Sequence, residues 1–392
     1  MTRTMTNASL DLLDAVCEGR QPAPPDFQPD LQCPLSTEPM YSIETRLLMS
    51  LIFSSLSIIG VVGNILVITV VLRVKGMKTP TNMYLVSLAL SDTLFFIATA
   101  PTELSYLHIP VGDYLFGHIG CAIFTYLPYL AINSSSLSIT AFTIERFIGI
   151  CHPYRARSIC TVKRARLIIL CIWAFSIVYN SPWLYLASLS VDSNGEKDCS
   201  FREDRSNWTY KVMFLGDFFA FYTIPMMLNI IIYGRIAVTL TKCGQFESEK
   251  SKNGHEVPTL EGESHVSGRR KSAGKNQVVK MLALVVLVFA TCWLPYRAMV
   301  MYNSFAESKW SPDWYIFFSK TLIFINCAIN PILYNLMSGR FRSAFKSFLK
   351  GEPQLGYLPV VINRNASGRT ASARQDGSLR EKTGTENTFL NS

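Results

Sequence analysis

Seven apolar stretches, each long enough to cross a lipid bilayer, dominate the chain. They run from about Leu47 to Leu72, Met83 to Tyr106, Ile119 to Ile144, Leu167 to Val191, Val212 to Leu240, Val278 to Tyr302 and Trp314 to Met337. At about 1.5 Å per helical residue, roughly 20 residues cover a hydrocarbon core of about 30 Å. In lipid the backbone must satisfy its own N–H and C=O groups, so each stretch is expected to fold as a helix. The fold class is therefore all-α membrane, a seven-transmembrane helix bundle over residues 47–338. Charged residues make up only 17% of the 392 positions and gather in tails and linkers, which is the pattern such a bundle requires.

The third stretch carries the most information. Within Cys121–Cys151 the apolar sequence is broken by Tyr129, Asn133, Ser134–Ser136 and Thr140, and a charged couple, Glu145 and Arg146, closes it. That content is too polar for a helix facing lipid, so this helix should be buried among the others.

The linkers set the orientation. Arg73, Lys75 and Lys78 follow the first stretch, and Arg155, Arg157, Lys163, Arg164 and Arg166 follow the third, whereas His108–His118 has neither Lys nor Arg. Positive charge marks the cytoplasmic side, so the N-terminal tail, 1–46, is expected outside and the C-terminus inside. The first stretch, with no apolar run before it, is read as the membrane anchor. Asn7 and Asn207 then stand in outward-facing glycosylation sequons. Cys121 and Cys199 both fall on the oxidising side and are expected to pair, tethering the loop before the fifth stretch; Cys17 and Cys33 either pair across a short loop or stay free.

Residues 243–275 are rich in Glu, Lys, Ser and Gly and read as a flexible cytoplasmic loop. In 339–350, Phe341, Ala344, Phe345, Phe348 and Leu349 recur at helical spacing among Arg340, Arg342, Lys346 and Lys350. This is an amphipathic eighth helix for the inner leaflet and its lipids. The tail 351–392 reads as disordered, with Ser and Thr hydroxyls open to kinases.

Polar groups inside the stretches need partners or a task. Asp92, Ser135, Asn326 and Asn330 form one such set, either a hydrogen-bonded network around a protonated acid or an oxygen shell for sodium. No other cofactor is expected. Pro182, Pro225, Pro295 and Pro331 each remove a backbone hydrogen bond and permit kinks. The formal net charge of +9 does not point to nucleic acid, because the basic residues lie between spans. No HExxH, GxSxG or Walker loop supports an enzyme. A channel or transporter should show internal repeats, and the halves share none.

Over about Leu47–Lys350 the residues resemble the rhodopsin-like, class A G-protein-coupled receptors. The motifs are Gly63-Asn64, Leu88–Asp92, Glu145-Arg146-Phe147, Trp173, Pro225 with Tyr233, Cys292–Pro295 and Asn330–Tyr334, in order on seven spans. The resemblance implies a plasma-membrane receptor, with arrestin and kinases as partners of its tail. It also places Glu145, Arg146, Tyr233, Asn330, Pro331 and Tyr334 in a switch facing the G protein, Trp293 at the floor of the ligand pocket, and sodium at Asp92, Ser135, Asn326 and Asn330. Lys275 stands where many relatives place an acid against the third-span arginine, so basal signalling is expected.

Within that class the phrases TPTNMYLVSLALSD, ITAFTIERF, MLALVVLVFATCWLPYR and NSF look like the thyrotropin-releasing-hormone receptor family. This implies a short amidated neuropeptide as ligand, thyrotropin-releasing hormone foremost, signalling through a G protein of the Gq class, phospholipase C and calcium. Another small neuropeptide is the alternative, since Pro128 stands where amine receptors have an aspartate and Lys320 replaces the family's arginine. Tyr129, Asn133, Tyr296 and Lys320 become candidate ligand contacts. Arg297, on a different helix face from Tyr296, is a candidate gate.

Overall fold

In the computed structural model residues 39–110, 112–191, 196–203, 207–252 and 262–351 are described, with backbone only at 243–252, 262–278, 281–282 and 337. Asn7, Cys17, Cys33 and the tail from 352 lie outside the described residues.

The first three spans are single helices, α1 Ile43–Arg73, α2 Pro80–His108 and α3 Gly117–Cys151. A short α4, Pro153–Ile159, leads to the fourth span, α5 Val162–Asn180 and α6 Pro182–Leu186. The fifth span is α7 Trp208–Phe218, a π turn at Phe219–Thr223 and α8 Ile224–Lys252. The sixth is α9 Gly262–Phe305, the seventh α10 Asp313–Met337, and the amphipathic helix is α11 Gly339–Leu349. Ser42, Thr79, Thr161 and Ser338 cap α1, α2, α5 and α11 through side-chain oxygens that accept first-turn N–H groups.

Six of the spans are apolar enough to cross a membrane by composition. The third, though 35 residues long, is not among them. It instead packs against the second, fourth, fifth and sixth spans, and the seventh closes the ring against the first, second and sixth. Asn133, Ser134, Ser135, Ser136, Ser138 and Thr143 are all buried, as the polar sequence of this helix anticipated.

Two corrections to the sequence reading concern boundaries. The fourth stretch does not remain helical to Val191. Pro182 has no N–H to continue the ladder, and Ala187–Val191 becomes strand β1, pairing antiparallel with β2 at Lys197–Phe201. Helix also extends from both sides into 243–275, through Lys252 and again from Gly262.

Proline positions are tied to neighbouring helices. Pro225 cannot donate to the carbonyl of Phe221, four residues earlier, and Ser136 Oγ of the third span donates to it at 2.5 Å. Pro331 frees the carbonyl of Cys327, which accepts from Asn64 Nδ2 at 3.0 Å. Gly63 allows this approach, since a Cβ there would lie 3.0 Å from the Pro331 ring. Span one is thereby locked to span seven.

Candidate functional site

At the end of the bundle where β1 and β2 lie, Cys121, early in α3, is disulfide-bonded to Cys199 of β2. About two turns further in, Tyr129 stacks face to face on Trp183, with centroids 4.1 Å apart. Phe214, Phe201 and Tyr210 extend this aromatic cluster under the hairpin. Asn133, one turn deeper than Tyr129, is fully buried. Its Nδ2 donates to Asn180 Oδ1 at 2.9 Å and to Asp217 Oδ1 at 2.7 Å. Two acceptors around one nitrogen settle the amide's orientation, so Oδ1 points the other way, and there it is buried without a partner.

Asp217 is itself fully buried and paired through Oδ2 with the guanidinium of Arg297. Arg297 also lies over the Trp293 ring, 5.9 Å from its centroid. Spans three, four, five and six thus meet at one ion pair with an amide bridge. Arg297 does lie on a different helix face from Tyr296, but it faces the interior and is held there.

Closer to the mouth, Lys320 Nζ donates to Glu103 Oε2 at 2.7 Å, joining the seventh span to the second. The ammonium also sits 5.7 Å from the centroid of Tyr106. Tyr296 is within electrostatic reach of both charges and of the Asp217–Arg297 pair. Tyr129, Asn133, Tyr296, Arg297 and Lys320 are therefore gathered at this end, with Trp293 below them, edge-on to Phe95 at 6.2 Å.

Midway down, Asn330 Nδ2 donates to Asp92 Oδ2 at 2.8 Å. A cavity with about 10 Å³ for the centre of a water-sized occupant lies beside them, lined by Asp92, Ser135, Asn326 and Trp293 among others. One carboxylate with hydroxyl and amide oxygens suits a small hard cation. Asn330 turns its nitrogen to Asp92 and is not part of the lining.

At the opposite end Arg146 Nη2 donates to Glu145 Oε1 at 3.0 Å, and its guanidinium lies 6.0 Å from the Phe142 ring. Glu145 Oε2 is buried without a partner. Burial, with the Glu145 carboxylate next, raises the pKa of the nearby Cys160 thiol. Tyr334 is buried against Phe341 of α11, its hydroxyl unpartnered. Tyr233 is half-buried at the edge of the core. Lys275 lies in α9 where only backbone is described.

Sequence reasoning missed Asp217, Glu103, Asn180 and Trp183. For the two acids a signal existed: an aspartate in the fifth apolar stretch and a glutamate in the second each require a cation from another span, and Arg297 and Lys320 are the cations of spans six and seven that lie away from the basic, cytoplasmic end where Lys280 stands.

The family model described as 7 transmembrane receptor (rhodopsin family) matches residues 63–334. The chain is 40% identical over 318 residues to the thyrotropin-releasing hormone receptor of Homo sapiens, covering 78% of each. It is 39% identical over 342 residues to the receptor of that name from Gallus gallus, covering 83% of the chain and 84% of the relative. Neuromedin-U receptor 2 of Mus musculus is 33% identical over 312 residues, covering 76% and 74%.

Proposed function

Because the chain belongs to the rhodopsin family of seven-transmembrane receptors, we propose that it binds a short amidated peptide, thyrotropin-releasing hormone or a near relative of it, at the disulfide-bearing end of the bundle. It is a multi-pass plasma-membrane protein and not an enzyme. The observation that carries the ligand reading is Asn133 Oδ1, a buried acceptor with no donor. A lactam or amide N–H would satisfy it, and Tyr129 and Tyr296 offer the aromatic walls beside it. The disulfide-bearing end faces outside, with the N-terminus, as the basic linkers of the opposite end require.

Peptide binding shifts a population rather than making or breaking bonds. A donor reaching Asn133 perturbs the amide that bridges Asn180 and Asp217, and so the contact of Arg297 with the sixth span's Trp293. Outward displacement of that span opens a cleft at Arg146 for a G protein of the Gq class, with Tyr233, Asn330, Pro331 and Tyr334 in the switch, and the tail serves kinases and arrestin. Sodium in the cavity at Asp92, Ser135 and Asn326 would hold the state in which Asn330 bonds Asp92.

The test is calcium release in cells expressing the receptor, on adding a panel of amidated peptides with and without a Gq-class inhibitor. Thyrotropin-releasing hormone is expected to give an inhibitor-sensitive response that Tyr129→Phe weakens and Asn133→Ala abolishes. Ion flux independent of G protein would overturn the receptor mechanism. A response confined to other amidated peptides would favour the second reading, a different small neuropeptide, which the engagement of Lys320 by Glu103 supports.

A further inference from the structure

The Glu103–Lys320 pair is unlike the inner ion pair. Asp217 is sealed at 0% exposure, whereas the side chains of Glu103 and Lys320 keep 14% and 24%. Lys320 lies seven residues into α10, about 10 Å from its start at 1.5 Å per residue, so the pair borders the mouth. Its ammonium has three donors, of which one goes to Glu103 Oε2; Oε1 of Glu103 accepts from no group among the described residues. The pair thus shows a free donor beside a free acceptor, next to Tyr296.

We propose that Glu103 and Lys320 together read a primary carboxamide at the end of a peptide ligand. Lys320 donates to the amide oxygen, and Glu103 accepts from the amide nitrogen, without the pair having to separate. The corresponding free acid offers a negative charge and no donor. A lysine alone would favour that acid; the glutamate beside it reverses the preference, by like-charge repulsion and by leaving its own lone pair unmatched. Glu103 is therefore the residue that distinguishes amidated from unamidated ligand. At a few ångströms and intermediate dielectric the discrimination amounts to on the order of a hundredfold. This inference rests on the peptide-receptor reading and adds to it a residue that selects the ligand's end.

The experiment uses intact receptor in cells, with a surface tag to report expression. Thyrotropin-releasing hormone and other short amidated peptides are each compared with their C-terminal free acids, on wild type, Glu103→Gln and Glu103→Ala. Wild type is expected to respond to amide over acid by about a hundredfold, and both variants to bring the ratio within about threefold while remaining at the surface. Glu103→Gln keeps a hydrogen-bond partner for Lys320, so it separates charge from simple loss of the contact. A ratio unchanged in a variant present at the surface overturns the inference and leaves the peptide reading intact. Wild type silent to every pair overturns both. A variant absent from the surface is read by binding in membranes, where a wild-type preference for amide over acid overturns the inference and leaves the peptide reading intact.

Discussion

Asp217 and Arg297 meet inside the bundle as an ion pair in which the carboxylate has no exposed surface and its second oxygen is taken by Asn133. A charge in that position is tolerable only with its partner, so the pair behaves as a unit. Asp217→Ala should lower the stability of the purified receptor by about 3–5 kcal/mol, because it leaves the guanidinium buried and unpaired. The joint change Asp217→Asn with Arg297→Gln should cost far less. Thermal unfolding in detergent measures both; a single variant as stable as wild type would show the pair to be dispensable.

Ser136 and Asn64 each answer a carbonyl that a proline has freed. Ser136→Ala and Asn64→Ala should each cost about 1–3 kcal/mol, since an orphaned buried carbonyl bears its full desolvation penalty. Replacing Pro225 with Ala in the Ser136→Ala background should restore part of the loss by returning the N–H. Equal melting temperatures for Ser136→Ala and wild type would mean that the Phe221 carbonyl finds another donor.

Gly60 faces the ring of Phe96 so closely that a Cβ has no room, whereas Gly149 has open space around it. Gly60→Ala is expected to force the first and second spans apart at about 1–3 kcal/mol. Gly149→Ala should be neutral or slightly stabilising, through helix propensity. The comparison of surface expression between the two reads out packing rather than composition.

Asn207 caps α7 through Oδ1, accepting from Thr209 N at 3.0 Å, while its Nδ2 meets Glu203. If this end is outside, a glycan replaces the Glu203 contact and leaves the cap intact. Asn207→Ser should keep the cap yet abolish the glycosidase-sensitive shift contributed by this site, without loss of folding. Retention of that shift would place the sugar elsewhere.

Lys275→Glu should lower basal signalling by about two- to tenfold, because it restores the acid that the family resemblance sets against the third-span arginine, here Arg146, in addition to Glu145. Inositol phosphate accumulation without agonist measures it. Unchanged output would show that the Glu145 pairing alone sets the resting state.

Periodicity and length were enough to place the seven spans and the amphipathic helix, because a bilayer leaves the backbone so few choices. The polar face of the third span announced its burial for the same reason. What the sequence concealed was pairing. Glu103 and Lys320 stand 217 positions apart, and Asp217 and Arg297 80, and a linear pattern carries no register between distant helices. The end of the fourth span was misjudged because Ala187–Val191 is as apolar as a helix end. Only the alternation that follows Pro182 betrays a strand.

The third helix, alone of the long spans, lacks the composition that would carry it into a bilayer unaided. Among the described residues its asparagine and serine side chains find partners on the second, fourth and fifth spans, two of which are synthesised after it. A nascent chain ending shortly after Cys151 is thus expected to hold this segment loosely at the translocon, integrating it once its later neighbours arrive. The residues that build the centre of the finished receptor would in this way set the order in which it is assembled, and truncation between the third and fifth spans should yield a chain marked for degradation.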